Sequence, residues 1–145
     1  MLELKQINKY YNQGTVNEMC LFEDFSLTIK DRQFVSVVGS NGSGKTSMLN
    51  IICGSIPLDS GRIIIGGKDI TSMPEYKRQR RIGRVYQNPA MGTCPHMTIL
   101  ENMALADNKG KPFNLLPGTN RQRINYYKEQ LHSLGLGLEL SLIHI

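Results

Sequence analysis

Residues 39–47 read GSNGSGKTS, and this stretch decides how the sequence around it is interpreted. It matches the pattern G-x-x-x-x-G-K-[ST], in which the glycines permit backbone angles that other residues avoid. Successive backbone N–H groups in such a loop can turn inward and hold an anion. We therefore predict a phosphate-binding loop whose nucleotide-binding residues are Gly39, Ser40, Asn41, Gly42, Ser43, Gly44, Lys45, Thr46 and Ser47.

The residues on either side of the loop predict a strand–loop–helix unit. FVSVV at residues 34–38 is a short β-branched run that suits a strand buried on both faces. Apolar residues then recur at helical spacing over residues 48–52, and Gly54 is placed to end that helix. The unpaired N–H groups and positive dipole end of the helix would face the bound phosphates.

Two side chains of the loop specify the ligand further. Lys45 is placed to reach the β- and γ-phosphates, and the Thr46 hydroxyl is placed to bind Mg²⁺. The alternative is a merely flexible glycine loop, which would not require a lysine and a hydroxyl at these two positions. The pattern therefore predicts that ATP or a similar triphosphate binds here with Mg²⁺.

The remainder of the chain alternates predicted strands and helices, which is typical of an α/β fold. LELKQI at residues 2–7 and FSLTI at residues 25–29 alternate apolar and polar residues like half-buried strands. Two further segments have strand character: a strand and turn at residues 61–70, and a core strand at residues 82–87 that ends at Gln87.

Two helices are predicted in the last third of the chain. Thr98 and Glu101 form an S/T-x-x-E capping box that predicts a helix beginning at Thr98. A second amphipathic helix is predicted over residues 120–134, with Thr119 and Gln122 at its start and Gly135 after its end. Its apolar face comprises Ile124, Tyr127, Leu131 and Leu134.

Composition restricts the class of protein. The chain has 145 residues, 40% of them hydrophobic and 20% charged, which is typical of a globular domain or part of one. Its apolar runs are too short to span a bilayer, and Glu3 and Lys5 stand where a signal peptide would be apolar. Three widely spaced cysteines suggest no metal or redox pair. We therefore expect a cytoplasmic location.

A basic cluster, KRQRRIGR at residues 77–84, contributes much of the net charge of +5. Such a cluster can mark a nucleic-acid or anionic-membrane surface. The alternative is a solvated face ahead of a strand. We favour the solvated face and expect no nucleic-acid partner, because no aromatic residues are interleaved with the charges.

Taken with its flanks, the loop resembles that of the ATP-binding subunits of ABC transporters. The resemblance covers residues 2–139 and rests on INKYYNQGT, FSLTI, GSNGSGKTS, LDSGRIIIGGKDIT, VYQNP and MTILENM in that order. It implies a P-loop NTPase of ABC type, with an N-terminal antiparallel β subdomain, a P-loop core and the start of a helical subdomain.

The same resemblance assigns roles to two residues outside the loop. Tyr11 matches the aromatic residue that stacks on adenine, with Tyr10 as the alternative. Gln87 matches the glutamine that binds Mg²⁺ or orients the attacking water, which would make it a supporting catalytic residue. Base stacking on an aromatic ring is physically reasonable, since it contributes about 1 to 3 kcal/mol in other sites.

The sequence also departs from the family pattern. KDRQFVSVV lacks the glycine-acid turn that usually precedes the P-loop strand, and there is no LSGGQ-like signature, acidic strand end or switch histidine. We therefore expect a domain fragment over residues 1–139 that binds ATP without hydrolysing it and has limited solubility. LSLIHI at residues 140–145 resembles a translated sequencing adapter, so we expect a non-native tail.

Three hypotheses about function follow from the resemblance. In the first, the parent protein is the ATPase subunit of a transporter. Its partners are then a second ATP-binding subunit arranged head to tail, a transmembrane permease and a solute-binding protein. It would lie on the inner face of the membrane through that permease. The second hypothesis is a soluble ABC-type ATPase of repair or translation, and the third is a non-catalytic nucleotide-binding module. We favour the first, without a specific solute.

Overall fold

The computed structural model describes residues 1–112 and 117–137. It divides into two compact units, Met1–Gly83 and Arg84–Ile145, which are described separately below. Among the described residues, no helix has both the length and the apolar character needed to cross a membrane.

The first unit is built on a four-stranded antiparallel sheet, which confirms the predicted N-terminal β subdomain. Strands β1 (Leu2–Tyr11) and β2 (Met19–Ile29) pair along most of their length. The order across the sheet is β2-β1-β3-β4, where β3 is Ser60–Ile65 and β4 is Lys68–Asp69. Strands β1 and β3 therefore lie in the middle of the sheet, and their pairing joins residues far apart in sequence, such as Leu2 with Ile65.

A pair of bulges bends this sheet around Asn8. Gln6 and Asp24 both have positive φ angles, 46° and 45°, at the points where the β1–β2 register shifts. The Asn8 side chain joins them, because its Oδ1 accepts from the Asp24 N–H (2.9 Å) and its Nδ2 donates to the Gln6 carbonyl (3.1 Å). Gly61 allows the close approach of β3, since a Cβ there would lie 2.5 Å from the Gln6 carbonyl oxygen.

Helix α1 (Lys45–Cys53) packs on this sheet and closes the core of the first unit, as the helical spacing predicts. It ends at Gly54, whose φ of 94° and backbone N–H bond to the Asn50 carbonyl (2.9 Å) make a left-handed C-cap. The buried core consists of Leu4, Ile7, Met48, Ile51, Ile52, Ile63 and Ile70. A short helix α2 (Glu75–Arg78) follows β4.

The strand predicted at residues 34–38 is not formed, and the expectation that it is buried on both faces is wrong. These residues form neither a helix nor a strand, and Phe34 and Val38 are 92% and 90% exposed. Strand formation requires a neighbouring backbone and a covered face. No described residue supplies either one, since the sheet contains β1 to β4 only.

The core strand predicted at residues 82–87 is also absent. The segment lacks strand assignment, and Val85 is fully exposed at 97%. The physical reason is the same, because no described strand lies beside it. A 3₁₀ turn at Pro89–Met91 follows, with the Asn88 side chain accepting from the Ala90 N–H at its start (3.0 Å).

The second unit contains two helices that pack on each other. In α3 (Ile99–Asp107) the predicted capping box is confirmed: the Glu101 N–H donates to Thr98 Oγ1 (3.2 Å) and the Thr98 N–H donates to the Glu101 carboxylate (2.8 Å). The bonds that the Glu101 carboxylate accepts from the N–H and the hydroxyl of Thr98 lower the pKa of Glu101.

Helix α4 (Arg121–His132) confirms the second predicted helix with two corrections. Its N-cap is Asn120, whose Oδ1 accepts from the Arg123 N–H (2.9 Å), and not Thr119. Asn120 caps the helix because it is the residue directly before the first helical residue, where a short polar side chain reaches the N–H of the third helical residue. Leu134 lies beyond the helix and is 61% exposed, so the buried face is Tyr127 and Leu131. The predicted tail at residues 140–145 lies outside the described residues.

Candidate nucleotide site

The loop at residues 39–47 folds into a tight turn ahead of α1. Gly42 and Gly44 have φ angles of 84° and 86°, which L side chains rarely adopt. The Ser43 N–H donates to the Ser40 carbonyl (3.3 Å), which closes the turn. One backbone N–H of the loop is therefore used within the loop itself.

The amino end of α1 is suited to an anion. Gly44 is the N-cap, and no side chain caps the first turn of the helix. That turn contains no acidic residue either, so nothing neutralises the positive end of the helix dipole. The Met48 N–H donates to the Gly44 carbonyl (2.8 Å), so regular helical bonding begins directly after the loop. This arrangement fits a phosphate group at the amino end of α1.

Two glycines of the loop lie close to neighbouring side chains, and Gly44 also has the positive φ noted above. A Cβ at Gly39 would lie 2.6 Å from Ser43 Oγ, and a Cβ at Gly44 would lie 3.0 Å from Leu21 Cδ1 and 3.5 Å from Phe22 Cζ. Strand β2 thus lies against the loop at its junction with α1. The antiparallel sheet and the loop form one continuous structure within the first unit.

Lys45 holds the two sides of the loop together. Its ammonium group donates to the carbonyl oxygens of Gly39 (2.7 Å) and Ser40 (2.6 Å) and lies 3.4 Å from Ser43 Oγ. An ammonium has three donors and no acceptor, so it can exchange a loop carbonyl for a phosphate oxygen without leaving the loop. The geometry fits the predicted role of Lys45 as the charge contact of the site.

The candidate metal ligand Thr46 lies in the first turn of α1 and is exposed. Within residues 1–112 and 117–137, no cluster of three or more His, Cys, Asp or Glu side chains could hold a metal ion. A divalent cation at Thr46 would therefore take most of its oxygen ligands from phosphates and water. Mg²⁺ commonly binds in this way, keeping several waters alongside substrate phosphates.

Tyr11 ends strand β1 in the same unit as the loop, and it is half-buried. It shares one side of the strand with the buried Lys9, whose Nζ lies 5.7 Å from the centre of the Tyr11 ring. Desolvation, Cys20 and the negative charge of Glu23 raise the pKa of the neighbouring Tyr10. Tyr11, with Tyr10 as the alternative, remains the predicted base-stacking residue.

Gln87 belongs to the second unit, whereas the loop and Tyr11 belong to the first. It is exposed and lies between residues 82–86, which form no strand, and the 3₁₀ turn at Pro89–Met91. Just before it, the Arg84 guanidinium lies 4.4 Å from the centre of the Tyr86 ring.

A buried arginine at the carboxyl end of α1 was not predicted from the sequence. Arg78, in the basic cluster, is 4% exposed and donates to the carbonyl oxygens of Ile51 (2.8 Å) and Ile52 (3.1 Å) in the last turn of α1. It also donates to the carbonyls of Met73 and Thr71, both at 2.7 Å. Cations are favourable at a helix C-terminus. The prediction of a solvated face is wrong for Arg78, although Lys77, Arg80 and Arg81 are exposed.

The chain has a glycine loop with a central lysine, and the loop leads into a helix that no side chain caps. These features are typical of P-loop nucleotide-binding proteins. Comparison with known families makes the assignment specific. A family described as ABC transporter matches residues 22–141. The chain belongs to this family, as its motifs predict.

Individual relatives agree with the assignment. The chain is 42% identical to a tyrosine transport ATP-binding protein of Clostridioides difficile over 139 residues, covering 96% of this chain and 55% of that protein. It is 43% identical to a spermidine/putrescine import ATP-binding protein of Haemophilus influenzae over 104 residues, covering 72% of this chain and 26% of that protein. The chain thus spans about half or less of the curated relatives it matches.

Solved structures support the fold. A bacterial ABC transporter cassette solved as a dimer aligns with a TM-score of 0.70 at 28% identity, covering 91% of this chain and 57% of that chain. A post-hydrolysis state of an ATP-binding cassette bound to ADP and phosphate aligns with a TM-score of 0.69 at 27% identity, covering 92% and 57%. The α/β fold of ABC type is therefore confirmed.

Proposed function

We propose that the chain is the nucleotide-binding part of an ATPase subunit that drives solute import across a membrane. The observation that carries this proposal is the uncapped amino end of α1, entered through the loop at residues 39–47 with Lys45 at its centre. The names of the relatives support the transport role, because both describe transport or import ATP-binding proteins. No comparable observation favours a soluble ATPase of repair or translation.

Within this proposal each site residue has one task. Backbone N–H groups at the start of α1 and the Lys45 ammonium bind the phosphates, and the Tyr11 ring stacks on the base. Thr46 and Gln87 would hold Mg²⁺, which when bound neutralises phosphate charge. Phosphate binding in this arrangement depends on the conformation of residues 39–47, in which a Cβ at Gly39 or Gly44 would lie close to a neighbouring side chain.

We further propose the partners that the family pattern implies. A second ATP-binding subunit would complete the site head to tail, and a transmembrane permease would hold the pair at the cytoplasmic side of the membrane. A solute-binding protein would deliver an amino-acid-like solute. A dimeric ABC transporter cassette of similar fold supports the first of these partners.

The 145-residue chain itself is proposed to bind MgATP without measurable turnover. Its sequence contains no LSGGQ-like signature and no acidic strand end to polarise water. Loss of positioned electrostatic or general-base groups lowers rates by orders of magnitude. Binding and hydrolysis should therefore separate in this chain.

Fluorescence of an N-methylanthraniloyl ATP analogue, measured with Mg²⁺ at sub-micromolar protein, tests the proposal. Lys45→Ala removes the charge contact and is expected to weaken binding about 10- to 100-fold, the value of a charged hydrogen bond. Lys68→Ala is the matched control, because Lys68 is exposed on β4. Equal binding by Lys45→Ala and the unaltered chain would contradict the proposal, as would phosphate release well above background.

A further inference from the structure

Asp59 ties the end of β1 to the turn before β3. Its Oδ1 accepts from Lys9 Nζ (2.8 Å) and its Oδ2 accepts from the Tyr10 N–H (2.7 Å). The Asp59 N–H also donates to the Asn8 carbonyl (3.1 Å). Asp59 therefore bonds to the backbone of β1 at two points, Asn8 and Tyr10, and to the Lys9 side chain, all immediately before Tyr11.

Lys9 is an unusual residue for this position. It is 8% exposed, although a lysine is rarely buried unless its charge is paired. The ion pair is only partly buried, because the Asp59 side chain is 33% exposed, and the desolvation of Lys9 offsets part of the attraction between the two charges. An apolar residue would hold the strand at least as well, because Leu4 and Ile7 on the same strand are buried. The charge of Lys9 therefore calls for a role other than packing.

The position of the ammonium group indicates that role. With its bond to Asp59 in place, Lys9 Nζ lies over the Tyr11 ring, 5.7 Å from the ring centre. A cation in this position is attracted to the negative face of the ring and so restricts the ring's orientation. One face of the ring is then engaged by Lys9, so a planar ligand would stack on the opposite face.

We propose that the Lys9–Asp59 ion pair is a positioning device that orients the Tyr11 ring for stacking on the nucleotide base. Lys9 does not touch the nucleotide; it acts through Tyr11. This inference rests on the proposed function, since it presupposes that a nucleotide binds at residues 39–47. It adds a specific consequence: Lys9 affects recognition of the base and leaves recognition of the phosphates unchanged.

Two ligands separate these effects. ATP has a base and a triphosphate, whereas inorganic tripolyphosphate has only the phosphates. Each is used with Mg²⁺ to displace the fluorescent ATP analogue from the unaltered chain, Lys9→Met, Tyr11→Ala and the double variant. Methionine keeps the aliphatic length of the lysine and removes its charge.

Lys9→Met is expected to weaken ATP binding about 3- to 10-fold, within the range for base stacking on an aromatic ring, and to leave tripolyphosphate binding unchanged. In the Tyr11→Ala background the same substitution is expected to have no effect on ATP. Lys9→Arg, which keeps the charge, is expected to retain ATP affinity. Lys5→Met is the matched control, because Lys5 is an exposed lysine of β1 paired with Glu3.

The outcomes are distinguishable. An equal loss of ATP and tripolyphosphate binding in Lys9→Met, or a loss that persists without the Tyr11 ring, would overturn the inference and leave the proposed function intact. Failure of the unaltered chain to bind either ligand would overturn the proposed function and this inference with it. If Lys9→Met loses its thermal transition, Asp59→Asn replaces it, because asparagine keeps an oxygen acceptor for the Tyr10 N–H while removing the ion pair.

Discussion

Residues 2–7 of strand β1 and residues 34–38 are both predicted strands of the first unit, yet only β1 forms a strand. Strand β1 has β2 on one side and β3 on the other, and Leu4 and Ile7 on it are almost fully buried. Residues 34–38 have no strand partner among the described residues, and Phe34 and Val38 remain exposed. The difference lies in the neighbours and not in the residues.

The comparison teaches that the phosphate loop takes its support from one side. Strand β2 reaches the loop through Leu21 and Phe22, and α1 packs on the sheet through Met48, Ile51 and Ile52. The chain before the loop contributes no comparable burial. We therefore expect substitutions in the paired sheet to destabilise the site strongly, and substitutions in residues 34–38 to have little effect on stability.

Alanine substitutions in the two regions test the comparison directly. Ile63→Ala in β3 removes a side chain that is 1% exposed, and is expected to lower the free energy of unfolding by about 3 to 4 kcal/mol. Val38→Ala removes an exposed side chain and is expected to change it by less than about 0.5 kcal/mol. Urea unfolding followed by far-ultraviolet circular dichroism measures both. Similar losses from both variants would break the comparison.

Arg78 is expected to have the next largest effect. Arg78→Met removes the guanidinium donor from the carbonyls of Ile51 and Ile52, of which Ile51 keeps the Gly54 N–H, at a cost of roughly 3 kcal/mol. Arg80→Met is the matched control, because Arg80 is an exposed arginine of the same cluster. Urea unfolding of the two variants tests this expectation. Equal unfolding midpoints would show that Arg78 does not stabilise the carboxyl end of α1.

Gly61 tests the close approach of β3 to the bulge in β1. Gly61→Ala is expected to cost roughly 2 kcal/mol or more, because its φ of 97° is strained for alanine and its Cβ would meet the Gln6 carbonyl. Gly67→Ala has a similar φ of 75° but open space around it, so the cost should be smaller. Thermal unfolding of the two variants separates backbone strain from the steric clash. A larger drop in Tm for Gly67→Ala than for Gly61→Ala would contradict the proposed close approach of β3 to β1.

The smallest expected effect is a pH dependence at Asp59. Its hydrogen bonds from Lys9 and from the Tyr10 N–H hold the pKa of Asp59 below its ordinary value. A lowered pKa in the folded state means that the stabilisation is complete above the unfolded value of about 3.9 and is lost as pH falls through the folded value. The Tm difference between the unaltered chain and Asp59→Asn should therefore narrow from about pH 7 to about pH 3. A difference that stays constant would contradict this assignment.

Local signals in the sequence were sufficient for several features. Gly42 and Gly44 of the loop, the Gly54 cap and the capping box of Thr98 and Glu101 depend on residues a few positions apart, and these have the predicted conformations or contacts. The two missing strands are predicted from the character of their own residues, which form a strand only beside a partner. Periodicity reports how a segment would pair, but it does not report whether a neighbour is present.

Contacts between distant residues account for the rest. Arg78 meets carbonyls 26 and 27 residues earlier, and Lys9 meets a carboxylate 50 residues later. No spacing rule connects such positions, so the basic cluster was interpreted as a solvated face and Lys9 received no role. The roles of Thr46, Tyr11 and Gln87 in binding remain predictions, of which the Tyr11→Ala variant tests one.

Hydrogen exchange followed by mass spectrometry, with and without MgATP, tests the central claim most directly. The claim is that the nucleotide binds at the amino end of α1 through the loop at residues 39–47. We expect MgATP to slow exchange in peptides covering this loop and the first turn of α1, while exchange in β3 and in α4 is unchanged. Slowed exchange in other segments with no change at residues 39–47, or no change anywhere at saturating MgATP, would contradict the claim.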